Sequence, residues 1–284
     1  MTNIRISTGA SSYFSKPSEI LDPNLFTERE KLRPDVRQSL LNTLMSYMSI
    51  RYRNPQFWLV AWLAGSGISY QWFASRGNGD LDVLLGINYS EFVTQNPSFE
   101  WMDRSEIAET ITKDLRENLW PQTTHTYIGY GEYEVTYFLN EFVEGSQSSI
   151  VNIHPYAAYS LNDDSWIVKP PKLPEDPHSL YPDEYYVQAQ ANKDAAQTII
   201  DRYNKLNIES KAIYPGSPQD INNRRHKKLI QSEARNLFDN LHLGRKMAFS
   251  NQGVGYGDFY NFQWQAAKES GIINALNELI NKEN

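Results

Sequence analysis

Two motifs separated by a gap of thirteen residues constrain the fold of this chain more than any other feature. Residues 57–64 are almost entirely apolar and predict a buried strand, which leads into a turn of small residues at 65–67. Residues 80–88 predict a second strand, whose first part carries Asp80 and Asp82. Because side chains alternate along a strand, these two carboxylates point to the same side.

This pattern suits a phosphate-bearing ligand held over metal ions. Neighbouring carboxylates match Mg²⁺ or Mn²⁺, hard cations that bind carboxylate and phosphate oxygens. In two-metal phosphoryl transfer the ions lie about 3.5–4 Å apart and stabilise both the attacking and the leaving oxygen. Gly65 lets the backbone approach a ligand closely, and the backbone from Ser66 to Gly67, near a predicted helix start, offers N–H groups to phosphate. The alternative is an edge strand with solvated carboxylates.

The spacing of Gly65-Ser66 and Asp80-Leu81-Asp82 resembles the signature of the DNA polymerase β-like nucleotidyltransferase superfamily. More narrowly, the chain resembles nucleotidyltransferase-like proteins of tailed bacteriophages, and the stretches that carry this likeness are 133–140, 153–159 with 166–171, and 257–265. The resemblance implies an enzyme that binds an NTP, such as ATP, and moves its NMP to an acceptor hydroxyl or phosphate with release of pyrophosphate. It also implies Mg²⁺ or Mn²⁺ as cofactor and a cytoplasmic location, in the host cell if a phage encodes the chain.

The resemblance implies a third carboxylate on a later strand beside the strand of Asp80 and Asp82. Residues 133–140 contain no Asp, so Glu134 is the best candidate and Glu132, on the same face, is the runner-up. The two aspartates would bridge both metals, and Glu134 would bind the metal that activates the acceptor oxygen and act as general base. The alternative is a strand whose two glutamates face water.

Basic residues are further candidates for nucleotide binding. Arg76 lies shortly before the aspartate pair and could reach a phosphate. Lys169 precedes two prolines in an extended segment and could line the cleft. Arg225 belongs to the most basic run, 224–228, which could hold the triphosphate or a nucleic-acid backbone. A solvated position is the alternative for each of them, because charge runs on helices usually face water.

Composition limits the class of protein. The 284 residues are 40% hydrophobic, which is enough for a core, and no apolar run reaches the about 18 residues that a membrane span needs. The chain has no cysteine, which excludes thiol catalysis, disulfides and Cys-ligated zinc. The net charge of −7 argues against a protein that coats duplex DNA but leaves room for an enzyme with a small basic channel.

The predicted fold class is α+β, with a small mixed β-sheet of the nucleotidyltransferase type flanked by helices and followed by a helical domain. The predicted domains are 1–170 and 171–284. Apolar spacing predicts the helices 34–53, 105–118, 182–206, 219–240 and 259–281. Alternation and turn residues predict the strands 57–64, 80–88, 124–129, 132–140, 150–154 and 166–168.

Three functions remain open at this point. The leading one is nucleotidyl transfer, with RNA or a nucleotide favoured as acceptor because of the phage resemblance. The second is a nucleotide cyclase or an oligonucleotide second-messenger synthase of the same fold. The third is a non-catalytic protein that binds a nucleotide or a partner. The intact pair Asp80 and Asp82 argues against the third function, whereas the lack of a third acid within reach of the pair would favour it.

Overall fold

The computed structural model describes the chain except for residues 1, 2, 10, 75, 76, 79, 211, 251, 283 and 284. The described residues group into two units. The sheet unit contains Ser12–His178 and Phe249–Tyr256. The helical unit contains the described residues of Met1–Ser11, Ser179–Ala248 and Gly257–Asn284.

These units are interleaved along the chain, whereas the prediction divided the chain once, between residues 170 and 171. The described residues before Ser12 group with the helices, although the prediction assigned them to the first domain. Residues 171–178 and 249–256 group with the sheet, although the prediction assigned them to the second. Sequence patterns are local and do not indicate that a short segment packs with residues far along the chain.

The predicted α+β class, with a mixed sheet and helices, is confirmed. The strands are β1 (Leu59–Ala64), β2 (Phe73–Ala74), β3 (Gly77–Asn78), β4 (Leu81–Ile87), β5 (Thr126–Ile128), β6 (Gly131–Tyr133), β7 (Val135–Glu144), β8 (Ala158–Ser160) and β9 (Ser165–Val168). The helices are α1 (Pro34–Arg51), α2 (Tyr89–Gln95), α3 (Arg104–Asp114), α4 (Trp120–Thr123), α5 (Asp183–Ser210), α6 (Pro218–Ala248), α7 (Phe259–Glu269) and α8 (Ile272–Ile280).

The main sheet has the strand order β7-β4-β1-β8-β9. Strands β4 and β7 are parallel, and the other neighbouring pairs are antiparallel. The amino ends of β4, β7 and β8 and the carboxyl ends of β1 and β9 therefore meet at one edge of the sheet. Strands β5 and β6 form a separate hairpin around Gly129 and Tyr130.

Both faces of the main sheet are covered by apolar side chains, as expected for strands that are apolar almost throughout. One face packs in a large cluster with α1, which contributes Val36, Leu40, Leu44 and Met48 at helical spacing. The opposite face packs in a smaller cluster that consists of Trp62, Ala64, Leu84, Val143, Ile150, Ile153 and Ala158. The side chains of Asp80 and Asp82 share the register of this second face, because they alternate with Leu81 and Val83.

Three predicted elements were wrong in detail. Residues 150–154 are not a strand but part of the 3₁₀ turn Ser149–Ile153, whose first and last isoleucines are buried three positions apart. The predicted strand 132–140 divides at Glu134 into β6 and β7. The predicted helix 259–281 divides at Gly271, where a φ of 82° and the close approach of the Ser7 carbonyl require glycine.

The helical unit is built around the long helices α5 and α6. The buried side of α6 carries Ile230, Ala234 and Leu241, which pack in one cluster with residues of α5, α7 and α8. The N-terminal segment joins this cluster through Ile4, whose backbone exchanges two hydrogen bonds with the Asn204 side chain, at 3.0 and 2.8 Å. No helix among the described residues has the length and apolarity that crossing a membrane requires.

The segment Phe249–Tyr256 brings Tyr256 into the sheet unit. Its ring stacks on Tyr156 at a centroid distance of 3.6 Å. Its hydroxyl donates a hydrogen bond to the Gln71 side chain at 2.7 Å, and its carbonyl accepts one from the Tyr13 hydroxyl at 2.8 Å. Gln71 in turn donates to the Tyr13 carbonyl at 2.8 Å, so this segment is part of the packing of the sheet unit.

Asp22 is a buried carboxylate that ties the N-terminal part of the sheet unit to β6. It is 1% exposed and accepts hydrogen bonds from the Tyr133 hydroxyl at 2.5 Å and from the Asn24 backbone at 2.9 Å. Burial raises the pKa of Asp22 above its ordinary value of 3.8, although both hydrogen bonds oppose the shift.

The free energy of unfolding should therefore depend on pH through Asp22. As pH rises above 3.8, the carboxyl of Asp22 ionises in the unfolded chain but keeps its proton in the folded protein until the raised pKa is reached. The folded state therefore loses stability relative to the unfolded state over this pH range. Asp22→Asn removes this titration. We expect the wild type to lose stability relative to Asp22→Asn as pH increases from 3.8, measured by urea unfolding at several pH values. A constant difference between the two proteins would contradict the assignment.

Candidate functional site

Asp80, Asp82 and Glu134 all lie at one edge of the sheet, at the amino ends of β4 and β7. Asp82 is in register with Ala64 of β1 on one side and with Thr136 of β7 on the other. The N–H of Leu81 donates to the Glu134 carbonyl at 2.8 Å, which places the backbone of Glu134 beside the start of β4. In parallel strands, residues in register point to the same face. We call Asp80, Asp82, Glu134 and Thr136 the acidic edge.

The acidic edge is open to solvent where the apolar cover of the sheet ends. Asp80 is exposed, and Asp82, Glu134 and Thr136 are partly exposed. The next residue of β4 on the same face, Leu84, is buried in the smaller cluster. The carboxylates of Asp80 and Asp82 therefore border an apolar surface and remain accessible to a ligand.

The turn that follows β1 lies directly against both aspartates. Gly65 has a φ of 87°, and a Cβ atom at this position would lie 3.1 Å from Asp82 Oδ2. A Cβ atom at Gly67 would lie only 2.4 Å from the Asp80 carbonyl oxygen. Glycine is therefore needed at both positions, because the turn lies close to Asp80 and Asp82. The sequence suggested that the backbone approaches another group here, but not which atoms it approaches.

The expected helix start at Ser66 is a single 3₁₀ turn, Ser66–Ile68, which is too short to carry a helix dipole of useful size. The Ser66 carbonyl accepts hydrogen bonds from the Ser69 amide at 3.0 Å and from the Ser69 hydroxyl at 2.7 Å. The amides of Ser66 and Gly67 have no acceptor among the described residues. Any phosphate binding here would depend on these amides and on the Ser66 hydroxyl, not on a helix.

Glu134 has a specific partner. Its Oε1 accepts a hydrogen bond from the indole Nε1 of Trp120 at 2.8 Å. Glu132, the runner-up, lies in β6, where it pairs with His125 and also accepts a hydrogen bond from the Tyr127 hydroxyl at 3.4 Å. Glu134 itself lies in the break between β6 and β7, and its carbonyl accepts the hydrogen bond from Leu81 at the start of β4, whereas Glu132 pairs within the β5–β6 hairpin.

The donor set of the acidic edge is carboxylate oxygen, which suits Mg²⁺ or Mn²⁺. Within the described part of the chain, no three Asp, Glu or His side chains are close enough to surround one ion. Asp82 lies in β4 and Asp80 comes two residues before it, and the carboxylate of Glu134 is hydrogen-bonded to Trp120. The pair therefore fits a metal ion that also takes ligand oxygens, and the place of Glu134 in its coordination stays a prediction.

Basic side chains follow β9 at the same sheet edge. Lys169 forms an ion pair with Glu30 at 3.6 Å, and both side chains are exposed. Glu30 also accepts a hydrogen bond from the Tyr70 hydroxyl at 2.7 Å, and this bond is the main cause that holds the pKa of Glu30 below its usual range. Burial raises the pKa of Tyr70 to about 12. Lys172 lies over the Tyr70 ring, with Nζ 5.1 Å from the centroid.

If the site binds a phosphate-bearing ligand, we expect Lys172 to contact it more readily than Lys169, because Glu30 forms its ion pair with Lys169 and interacts with Lys172 only through a weaker electrostatic attraction. Lys172→Ala is expected to raise the KM for the nucleotide by up to about fivefold without a change in kcat, the size of one exposed ionic contact. Lys169→Ala serves as the matched control and should change KM less. If both variants change KM equally in steady-state kinetics, Lys172 does not contact the nucleotide more than Lys169 does.

The remaining sequence candidates for nucleotide binding are Arg76 and Arg225. Arg76 lies outside the described residues. Arg225 is exposed on α6 in the helical unit, and the site described here is built from the sheet unit alone. Within the same basic run, Arg224 pairs with Asp220 at 3.0 Å, and Lys227 is buried.

Sequence reasoning missed Lys172 and Trp120. The Lys-Pro-Pro-Lys segment contained a signal for Lys172. A proline-rich extended backbone has three residues per turn, so Lys169 and Lys172 are expected on the same side of it. Nothing in the sequence pairs Trp120 with Glu134, since that contact depends on how α4 packs on β7.

Comparisons of this chain with protein-family models, with curated proteins and with solved structures find no match. The acidic edge and the turn beside it are therefore the features of this chain that bear on its function.

Proposed function

We propose that the sheet unit is a metal-dependent nucleotidyltransferase, which moves an NMP from an NTP to an acceptor hydroxyl or phosphate and releases pyrophosphate. The observation that supports this proposal most is the position of Asp82. Its carboxylate lies over Gly65, beside the turn that would hold the triphosphate, and it is in register with the strand that begins after Glu134. Nucleotide, metal and acceptor could thus meet at one sheet edge.

The three carboxylates of the acidic edge and the turn after β1 each have a chemical role in this proposal. Asp80 and Asp82 hold Mg²⁺ or Mn²⁺, which neutralises the charge of the triphosphate when bound. The amides of Ser66 and Gly67 and the Ser66 hydroxyl bind phosphate oxygens, whereas the Gly65 amide already donates to the Ala157 carbonyl at 3.2 Å. Glu134 orients the acceptor hydroxyl and takes its proton at a carboxylate oxygen. Catalysis consists mainly of holding the acceptor oxygen in line with the leaving pyrophosphate.

The activity can be tested with each labelled NTP in turn, together with Mg²⁺ or Mn²⁺ and a total-RNA extract. We expect transfer of label and release of pyrophosphate, both abolished by EDTA. RNA or a nucleotide is the proposed acceptor, so labelled RNA would support this choice. Label in a small cyclic or oligomeric nucleotide, formed without the extract, would identify the synthase alternative instead. The absence of transfer, of pyrophosphate release and of metal-dependent NTP binding would refute the proposal.

One observation favours a second candidate, a nucleotide-binding protein without catalysis. No three acidic or histidine side chains of the described chain surround a single point, and Glu134 Oε1 is already bound by Trp120. Such a protein would bind an NTP in the presence of Mg²⁺ and release no pyrophosphate. Equilibrium dialysis with labelled NTP, run beside the transfer assay, separates the two functions.

A further inference from the structure

Trp120 and Glu134 meet at the rim of the acidic edge. The Nε1–H of Trp120 donates to Glu134 Oε1 at 2.8 Å. Trp120 is 39% exposed, so burial in the core does not account for the position of its ring. An indole N–H donates a single hydrogen bond and accepts none. The contact therefore fixes one oxygen of the carboxylate and leaves the other able to bind a ligand.

The backbone before Trp120 has an unusual form that determines where the indole points. Residues Leu115–Leu119 form a π-helical turn between α3 and α4, and the Trp120 amide donates to the Leu115 carbonyl. The extra residue in this turn rotates the residues of α4 by about 100° around the helix axis, compared with their positions in a continuous α-helix. Leu115 and Leu119 are buried, which anchors the turn.

The short helix α4 is tied to the residue that follows Glu134. The Thr123 hydroxyl donates to the Val135 carbonyl at 2.6 Å, and Thr123 is buried. On the other side, the Glu134 carbonyl accepts the hydrogen bond from Leu81 of β4. Glu134 is thus held through its backbone by β4, through its neighbour by α4 and through its side chain by Trp120.

We propose that Trp120 is a positioning residue, which orients Glu134 as a carboxylate ligand of the acidic edge; this inference rests on the proposed function. Glu has one more rotatable bond than Asp, so a Glu ligand loses more conformational freedom when it binds a metal. A hydrogen bond to one oxygen removes part of that freedom beforehand. Outer partners of this kind change metal affinity by about 10–100-fold when they are removed.

The test measures Mn²⁺ binding by the electron paramagnetic resonance signal of free Mn²⁺, with the full chain and a non-hydrolysable NTP. Trp120→Phe keeps an aromatic ring and removes the donor, and it should weaken Mn²⁺ binding by about tenfold. Trp101→Phe is the matched control. Trp101 is 74% exposed and donates its Nε1–H to the Ser98 carbonyl at 2.7 Å.

A double-mutant cycle shows whether Trp120 acts through Glu134. In the Glu134→Ala background, Trp120→Phe should cause no further loss of Mn²⁺ affinity, whereas a general structural role would weaken binding in both backgrounds. Circular dichroism establishes that the variants fold, and Trp120→Tyr replaces Trp120→Phe in the cycle if the latter does not fold.

The outcomes separate this inference from the proposed function. Two results together support both the proposed function and the role of Trp120. Mn²⁺ binding is lost in Asp82→Asn, and Trp120→Phe weakens it only where Glu134 is present. Mn²⁺ binding that requires Asp82 but is equal in Trp120→Phe and Trp101→Phe overturns the inference and leaves the function standing. No Mn²⁺ binding by the wild type with the nucleotide overturns both.

Discussion

Asp82→Asn is expected to lower the rate of metal-dependent nucleotidyl transfer by at least about a hundredfold, comparable with the loss of a central electrostatic contact in an active site. Asp82 is the middle position of the acidic edge, between Ala64 and Thr136, with its carboxylate over Gly65. Asparagine has the same shape but no charge, so it cannot neutralise a bound cation. Release of pyrophosphate at saturating NTP measures the effect.

The folded state should survive this substitution, because Asp82 is only partly buried and its neighbours on the strand supply the core contacts. We expect its free energy of unfolding to change by no more than about 0.5 kcal/mol. Asp163→Asn is the control, since Asp163 is an exposed aspartate in the turn between β8 and β9. Transfer at the wild-type rate in Asp82→Asn would exclude the aspartate pair as a metal site.

Gly67→Ala is expected to reduce stability by about 1–3 kcal/mol, the usual cost of forcing an atom into a packed site. The new Cβ would lie 2.4 Å from the Asp80 carbonyl oxygen and 3.3 Å from Leu81 Cδ2. The first of these atoms belongs to the backbone and cannot rotate away, so the turn or the start of β4 must move. Because Asp80 would move with it, transfer activity should also fall. Urea unfolding and the pyrophosphate assay measure the two effects.

Gly257→Ala provides a matched control for this prediction. Gly257 also lies in a 3₁₀ turn, but no atom lies within 4 Å of a Cβ atom built on it. The same chemical change should therefore leave stability nearly unaltered there. If Gly67→Ala unfolds at the wild-type urea concentration, the turn and β4 are not in the close contact described above.

The positions of Asp80 and Asp82 at the end of one strand could be predicted from the sequence because the pattern that indicates them is local. Alternation along one strand puts Asp80 and Asp82 on one side, and two glycines around Ser66 indicate a close approach of the backbone. The backbone of Glu134 lies beside the start of β4, because its carbonyl accepts the hydrogen bond from the Leu81 amide. The role of Glu134 as a metal ligand remains a prediction.

Long-range pairing could not be predicted in the same way. The hydrogen bond from Leu81 to the Glu134 carbonyl and the bond from Trp120 to the Glu134 side chain depend on which strand and which helix come to lie together. Ile150 and Ile153 show why a short apolar run does not determine secondary structure. Such a run is compatible with a strand or with a turn until the elements that pack against it are known.

The interleaved units impose an order on synthesis. The ribosome makes Ser12–His178 before Phe249–Tyr256, so the Tyr13–Gln71–Tyr256 contacts of the sheet unit cannot form until residue 256 has emerged. Ile4, made at the beginning, must likewise wait for Asn204 on α5. A nascent chain that stops after residue 178 therefore presents an incomplete sheet unit beside an unpaired N-terminal segment, and neither unit can be completed before nearly the whole sequence has been translated.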